Sequence, residues 1–229
     1  MPERHVKICA GIDCRSGSGR QEEKQYLVIV NYLAHAYLSF GDPDITVGNL
    51  ISDFVKGKKK FEFPETIQRG ITLHRAIDTF TDSHPVTQEA KLFFRPDYGL
   101  YAGAIVDIVY DHFLANDQDQ FPSHDDLEAF ATKVYEQVGT RQDLFPERFS
   151  RLFPYMRSQN WLFNYRSREG IYNSLYGLAR RAAYMSDPAA ALRTFDTRYE
   201  QLQDCYRRFF PMLKVFSFNK LEELSSFSG

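Results

Sequence analysis

The chain has 229 residues, which is enough for one sizeable hydrophobic core. Hydrophobic residues make up 43% and charged residues 25%, a balance typical of a soluble globular protein. The formal net charge of -2 gives no bulk basic field, so composition argues against nucleic acid as a partner, and no apolar run is long enough to span a membrane.

The beginning of the chain differs in composition from the rest. Residues 1–25 combine mixed charge with a Gly/Ser patch and show little periodicity, so we predict a flexible or mis-annotated tail ahead of one helical domain at residues 26–229. There is no apolar signal segment, and the three cysteines suggest neither a disulfide framework nor a zinc module. These features predict a cytoplasmic protein.

From residue 26 onward, the spacing of apolar residues predicts one helix after another. A short helix at residues 31–40 ends at the turn signal Gly41-Asp42-Pro43, and a second helix covers residues 44–55. A long helix then runs over residues 65–81, with Pro64 at its start.

The second half of the chain continues in the same way. A helix is predicted over residues 98–114, and Ser123 with Asp126 forms a capping-box variant that opens another helix. The last predicted helix covers residues 187–214. Strand signals are scarce, so the predicted fold class is all-α, a single-domain helical bundle.

Acidic and imidazole side chains lie within the apolar runs of these helices. His74 and Asp78 are four residues apart and share one helix face, and Asp107 and Asp111 have the same spacing, with His112 next to Asp111. An ionised carboxylate in an apolar run must face solvent, find a cationic partner or bind a metal, because burying a lone charge is costly. The set is more typical of a metal or catalytic site than of solvent-exposed residues.

Two further residues extend this set. Asp53 lies among apolar residues in the second predicted helix, and His35 lies in the first. Imidazole and carboxylate together suit Mn²⁺, Fe²⁺ or Zn²⁺, and the absence of thiolates argues against a structural zinc site. His35 is either a ligand or a core histidine, and Asp82 is either functional or a helix-end residue.

Three blocks of the sequence carry a family resemblance. They are the run NYLAH at residues 31–35 with GNLISDF at residues 48–54, the run GITLHRAIDTFTDSHP at residues 70–85, and the run DIVYDHFL at residues 107–114. In order and spacing, these blocks resemble the acyl carrier protein phosphodiesterases, also called holo-ACP hydrolases.

The resemblance implies a divergent relative of the HD phosphohydrolase fold, which is an α-helical metal-enzyme fold. It implies hydrolysis of the 4′-phosphopantetheine arm from holo acyl carrier protein to give the apo protein, with no nucleic acid or membrane partner. The implied cofactor is Mn²⁺, with Mg²⁺, Fe²⁺ and Co²⁺ as other candidates. Family members begin near the residue matching Asn31, so we predict that residues 1–29 are an over-extended reading frame or a dispensable tail; an inactive deletion variant would contradict this.

The predicted site residues follow from the blocks and from the chemistry of a phosphodiester. The predicted metal ligands are His35, His74, Asp107, Asp111 and His112, and the predicted catalytic residues are Asp53, Asp78 and Arg75. Asp53 would be the family's essential aspartate, and it or Asp78 would orient or deprotonate the attacking water. Arg75 either clamps the phosphate or is a surface arginine.

A basic run follows Asp53, with lysines at Lys56, Lys58, Lys59 and Lys60. Such a run is either a solvated loop or a basic surface patch beside the site. A basic patch would bind the acidic carrier protein and raise its association rate.

Two other functions remain open from the sequence. One is an HD-type phosphohydrolase that acts on a nucleotide or another small phosphoester. The other is a non-catalytic helical module whose His/Asp pairs are buried structural networks.

Overall fold

The computed structural model describes residues 31–181 and 187–226, and within these ranges all regular structure is helical. The α-helices are α1 (Tyr32–Tyr37), α2 (Pro43–Ile51), α3 (Glu65–Ser83), α4 (Pro85–Leu92), α5 (Arg95–Tyr98), α6 (Ala102–Ala115), α7 (His124–Gly139), α8 (Glu147–Ser158), α9 (Trp161–Asn164), α10 (Arg168–Arg181), α11 (Pro188–Thr197) and α12 (Tyr199–Ser226). Short 3₁₀ segments lie at Ser52–Phe54, Gly57–Glu62, Gly99–Tyr101 and Gln142–Leu144. The all-α prediction is confirmed, while the likeness to the HD fold stays a prediction. The predicted tail lies outside the described residues.

Helix α6 lies at the centre of the fold. Its residues 104–115 are all buried, and α1, α4, α10 and α12 pack around it. A helix that is apolar on every side is expected in such a position. The consequence for Asp107, Asp111 and His112 is that all three are buried by the position of their helix, whatever their function.

Helices α2 and α3 approach each other more closely than ordinary side chains allow. A Cβ atom added at Gly48 would lie 2.2 Å from the Ile67 carbonyl oxygen, and one added at Gly70 would lie 2.3 Å from the Ile45 carbonyl oxygen. Glycine is the residue that permits this backbone contact. The contact fixes α3 against α2 and against the 3₁₀ turn Ser52–Phe54 that follows α2.

Several local predictions are confirmed, while several helix bounds differ, two of them substantially. The Ser123–Asp126 capping box is present, and the Asp42 side chain caps α2. The predicted helix at 44–55 ends at Ile51 and continues as the 3₁₀ turn, because Val55 is extended. The predicted helix at 187–214 is two helices, since Arg198 leaves helical geometry between α11 and α12.

Along the described part of the chain, no helix has both the length and the hydropathy needed to cross a membrane. The thiol of Cys205 is free and buried, while Cys9 and Cys14 lie outside the described residues.

The glycine contact yields a test of the fold. Gly48→Ala and Gly70→Ala should each lower the free energy of unfolding by about 1–3 kcal/mol or more, because the added methyl group meets backbone that cannot move aside cheaply. Urea unfolding measures this loss. Gly139→Ala is the matched control, because its nearest neighbour would be 3.7 Å away. Equal stability of all three variants would contradict the proposed contact.

Candidate active site

Two histidines and two aspartates from three separate segments meet at one point. His35 comes from α1, His74 and Asp78 come from α3, and Asp53 comes from the 3₁₀ turn after α2. The distance is 3.2 Å from His35 Nε2 to Asp78 Oδ1 and 3.1 Å from His74 Nε2 to Asp78 Oδ2. His74 Nε2 also lies 3.2 Å from Asp53 Oδ1. We call these four residues the His/Asp cluster.

The backbone around Asp53 is held against α3. Ser52 Oγ donates a hydrogen bond to the Ile71 carbonyl at 3.3 Å, and Arg75 Nη2 donates to the Val55 carbonyl at 2.7 Å. Both contacts flank Asp53 in the sequence. They place its carboxylate next to His74.

The tautomer of His35 is fixed by Asn49. The Asn49 amide nitrogen donates to the His35 carbonyl at 2.9 Å and to Ser39 Oγ at 3.1 Å, so its oxygen must be the atom that faces the His35 ring. That oxygen lies 2.7 Å from His35 Nδ1. Since an amide oxygen only accepts, Nδ1 carries the proton and donates it. In the neutral ring, the lone pair is then on Nε2.

This tautomer leaves two acceptors facing each other. His35 Nε2 is buried, 3.2 Å from Asp78 Oδ1, and has no hydrogen-bond partner among the described residues. Burial, followed by the nearby His74, lowers the pKa of His35, so the ring is neutral at physiological pH. A lone pair and a carboxylate oxygen at this distance are an arrangement that a cation between them would satisfy.

The other imidazole is protonated when no metal ion is bound. Burial disfavours the charge on His74, but Asp78 and Asp53 outweigh that effect and raise its pKa to about 10. Burial alone would raise the pKa of Asp78, yet the charged His74 holds it well below the ordinary value. The two imidazole rings stack with centroids 4.0 Å apart, which suits one neutral and one charged ring. Any metal ion at His74 Nε2 must therefore displace a tightly held proton.

Three of these four residues have ligand atoms close enough together to hold one divalent ion. One ligand atom each from His35, His74 and Asp78 lies within 4.8 Å of the other two. Asp53 lies beside them through its contact with His74. Two imidazole nitrogens and carboxylate oxygens suit a transition metal, and a site with few protein ligands leaves room for water or substrate.

Asp107 lies next to the cluster and outside this set of ligand atoms. It is buried. Burial, followed by the charges of Asp78 and Asp82, raises its pKa well above the ordinary value. It lines a small cavity that also contacts Asn31 and Thr81. The structure therefore places it near the cluster but not among the three residues whose ligand atoms meet.

The structure does not bring Asp111 and His112 to the cluster, which corrects the predicted ligand set. Both oxygens of Asp111 accept backbone hydrogen bonds, from Ala34 at 2.8 Å and from Leu33 at 3.0 Å. Burial raises the pKa of Asp111 to about 8, although these two bonds act in the opposite direction. Asp111 thus holds the start of α1, the helix that carries His35.

Both ring nitrogens of His112 have other partners. Nδ1 lies 2.8 Å from the Tyr165 carbonyl oxygen, which can only accept, and Nε2 lies 3.2 Å from the Tyr199 hydroxyl. Burial lowers the pKa of His112, so the ring is neutral and the Tyr199 hydroxyl donates to Nε2. No lone pair remains for a metal ion. The sequence could not show these partners, because Tyr165 and Tyr199 are distant in the chain.

The remaining predicted residues lie around the cluster. Arg75 is half-buried, and its guanidinium donates a hydrogen bond to the Val55 carbonyl. Lys58 and Lys59 are exposed, Lys56 is exposed at the start of the same 3₁₀ segment, and Lys60 Nζ lies 3.5 Å from Thr72 Oγ1 on α3. The basic run is therefore on the surface beside the cluster.

Asp82 pairs with Lys91 at 2.7 Å and stays outside the cluster. His84 caps α4 by accepting from the Val86 backbone N–H at 3.3 Å.

Asn49 is a site residue that the sequence analysis missed. It is fully buried inside α2, between Gly48 and the apolar pair Leu50 and Ile51. A buried amide in an apolar helix needs hydrogen-bond partners as much as a buried carboxylate does. That reasoning, applied to amides as well as to charges, would have singled it out.

Comparisons with known proteins identify the family of the chain. A family model described as acyl carrier protein phosphodiesterase matches residues 30–213. The chain belongs to the acyl carrier protein phosphodiesterase family. A curated relative of that name from Yersinia pestis is 32% identical over 80% of this chain and 95% of its own length. Another, from Enterobacter sp. (strain 638), is 33% identical over 83% of this chain and 99% of its own length. No solved structure gives a significant match.

Family membership confirms the predicted enzyme class, a phosphodiesterase and hence a hydrolase. The match begins one residue before the NYLAH run and covers all three blocks from which the resemblance was drawn. Within this acyl carrier protein phosphodiesterase family member, the His/Asp cluster is formed from residues of the first two blocks.

The reassignment of Asp111 can be checked by one substitution. Asp111→Asn should lower the free energy of unfolding by about 1–3 kcal/mol, because an amide group replaces one of the two oxygens that accept the α1 backbone N–H groups. Urea unfolding measures this, and titration with Mn²⁺ should show unchanged stoichiometry. Asp78→Asn, the comparison variant, should lose Mn²⁺ binding. A fully stable Asp111→Asn protein that no longer binds Mn²⁺ would restore Asp111 as a ligand.

Proposed function

We propose that this phosphodiesterase hydrolyses the 4′-phosphopantetheine arm from holo acyl carrier protein and that it requires a divalent metal ion, most simply Mn²⁺. Water is consumed, its oxygen bonds to phosphorus, and the bond from phosphorus to the carrier's serine oxygen breaks. The products are apo carrier protein and 4′-phosphopantetheine. The names of the relatives support the substrate, since each is called an acyl carrier protein phosphodiesterase.

The facing pair of acceptors at His35 Nε2 and Asp78 Oδ1 is the observation that carries the metal proposal. We assign His35, His74 and Asp78 as the ligands and exclude Asp111 and His112, whose polar atoms are engaged elsewhere. A divalent ion held there would supply positive charge to the phosphoryl oxygens and lower the pKa of a water molecule. The oxygen and nitrogen donors suit Mn²⁺, Fe²⁺ or Co²⁺ better than a thiolate-preferring ion.

Asp53 is the residue best placed to act on the attacking water. Its side chain is one-fifth exposed and contacts only His74 within the cluster. A carboxylate with one oxygen still accessible can accept a hydrogen bond from water and orient it. Arg75, which holds the Val55 carbonyl, is assigned a positioning role for this turn in place of the phosphate clamp predicted from the sequence.

The decisive assay is incubation of the protein with holo carrier protein and Mn²⁺, followed by intact mass measurement. The carrier protein should lose the mass of the arm, and chelator-treated protein should do so only after Mn²⁺ is added back. His35→Ala and Asp78→Ala should each lower kcat/KM by about 10³-fold, because loss of the ion removes about 4 kcal/mol of transition-state stabilisation.

Thr79→Ala is the matched control for that assay, because Thr79 is exposed and adjacent to Asp78 but outside the cluster. Turnover of free nucleotides or bis(p-nitrophenyl) phosphate without action on holo carrier protein would select the small-phosphoester function. Absence of metal binding together with absence of any turnover would select a buried structural network.

The lysines of the Gly57–Glu62 segment are proposed to meet the acidic carrier protein. Lys56→Gln/Lys58→Gln should raise the KM for holo carrier protein by about threefold to tenfold at low salt and weaken the dependence of kcat/KM on salt. Lys133→Gln/Arg157→Gln removes the same charge from exposed positions elsewhere and is the control. If both double variants show the wild-type salt dependence, the lysines do not contact the carrier protein.

A further inference from the structure

A groove of about 440 Å³ lies beside the turn that carries Asp53. One wall runs from Phe54 to Phe63 and the other is formed by residues 143–148. Its volume is within the range of protein sites for small molecules. None of these wall residues belongs to the His/Asp cluster, so the groove is a separate feature that the assigned function has not used.

The lining of the groove combines apolar and charged side chains in about equal measure, and its apolar part is held in place by packing. Its apolar side chains are Phe54, Val55, Phe63, Leu144, Phe145 and Pro146. The Phe54 ring packs against Phe149 with centroids 5.5 Å apart, and the Phe145 ring packs against the same residue at 4.8 Å. Both walls therefore rest on one buried phenylalanine, and the space between them is preformed.

The charges around the groove are of both signs. Lys59 and Arg148 are basic, while Glu62, Asp143 and Glu147 are acidic. Such a mixture gives no net field that would favour a strongly anionic ligand or the face of an acidic protein. It offers donors and acceptors to an uncharged ligand that combines apolar groups with amides or hydroxyls.

The groove and the cluster are formed by neighbouring residues of the same short stretch of backbone. Phe54 and Val55 line it and directly follow Asp53, whose Oδ1 lies 3.2 Å from His74 Nε2. Arg75, next to His74 in α3, donates to the Val55 carbonyl at 2.7 Å. A ligand whose phosphate lies at the cluster would therefore have the groove immediately beside it.

We propose that this groove binds the uncharged pantetheine chain of the substrate's arm, an inference that rests on the proposed function. Beyond its phosphate, that chain carries two methyl groups, a hydroxyl, two amides and a thiol, which match a groove lined by both apolar and polar side chains. A helix of the carrier protein, about 10–12 Å wide, is too thick for a groove of this volume. The folded part of the carrier protein would contact the surface around the groove.

The experiment compares two substrates in each variant. One is holo carrier protein, and the other is the same carrier protein bearing only a short phosphoalkyl ester on the same serine. In the wild-type protein with Mn²⁺, kcat/KM should be at least about tenfold higher for the full arm, since even one buried methylene contributes about that factor. Leu144→Trp, which fills the groove, should bring this ratio close to one.

Two further variants make the comparison decisive. Asp143→Trp fills the same groove from its exposed rim, and Gln137→Trp places an equal ring in another groove, of about 340 Å³, and should keep the wild-type ratio. Because the ratio is taken within one protein sample, a partly unfolded fraction cancels from it.

The failures of the two proposals are distinguishable. Hydrolysis of holo carrier protein with a wild-type ratio near one, or with a ratio that Leu144→Trp and Asp143→Trp leave unchanged, would overturn the groove assignment and leave the proposed function standing. If neither carrier substrate is hydrolysed while bis(p-nitrophenyl) phosphate is, both proposals fall.

Discussion

The hydrogen bond between Asn49 and His35 determines what the His/Asp cluster can do. The amide is itself held by the His35 carbonyl and by Ser39, so it cannot rotate to present its nitrogen to the ring. The ring proton is therefore on Nδ1, and Nε2 presents a lone pair to Asp78. With the opposite tautomer, Nε2 would donate to the carboxylate, and the pair would be a satisfied hydrogen bond with no place for a cation. One buried amide thus separates a metal-binding geometry from a structural one.

The assembly of the whole His/Asp cluster depends on close helix packing. Asn49 lies on α2, and His74 and Asp78 lie on α3, and the two helices touch backbone to backbone at Gly48 and Gly70. His35 is positioned in a different way. Its helix α1 has only six residues, and the first turn of that helix is held by hydrogen bonds to Asp111 from the central helix α6. Three segments that would be marginal alone are fixed relative to one another by contacts that allow little adjustment. Cluster distances near 3 Å therefore follow from the backbone arrangement.

The features that the sequence predicted correctly are those that depend on the local geometry of a helix. His74 and Asp78 share a helix face because residues four apart always do, and the prediction that acidic and imidazole groups meet in the core needed only that rule and the cost of burying charge. Asp111 and His112 are an aspartate and a histidine on one helix, as Asp78 and His74 are. Their partners, however, are backbone groups and hydroxyls from distant segments. No spacing rule shows which polar group lies across a core. The groove was missed for the same reason, since its two walls are separated by some eighty residues and show no common periodicity.

The two aspartates at the cluster differ in ways that suit different roles. Asp78 projects from the middle of a nineteen-residue helix, contacts both imidazoles, and has its pKa held well below the ordinary value by the charged His74. Its charge is thus fixed and its position rigid, which is what a metal ligand requires. Asp53 projects from a three-residue 3₁₀ turn and contacts a single imidazole, with part of its side chain open to solvent. Such a carboxylate can adjust to a water molecule as it approaches phosphorus, and its neighbours in the same turn form the wall of the groove. The turn after α2 would then orient the attacking water through Asp53 and contact the substrate's arm through Phe54 and Val55. Both groups would be aligned by the same short stretch of backbone.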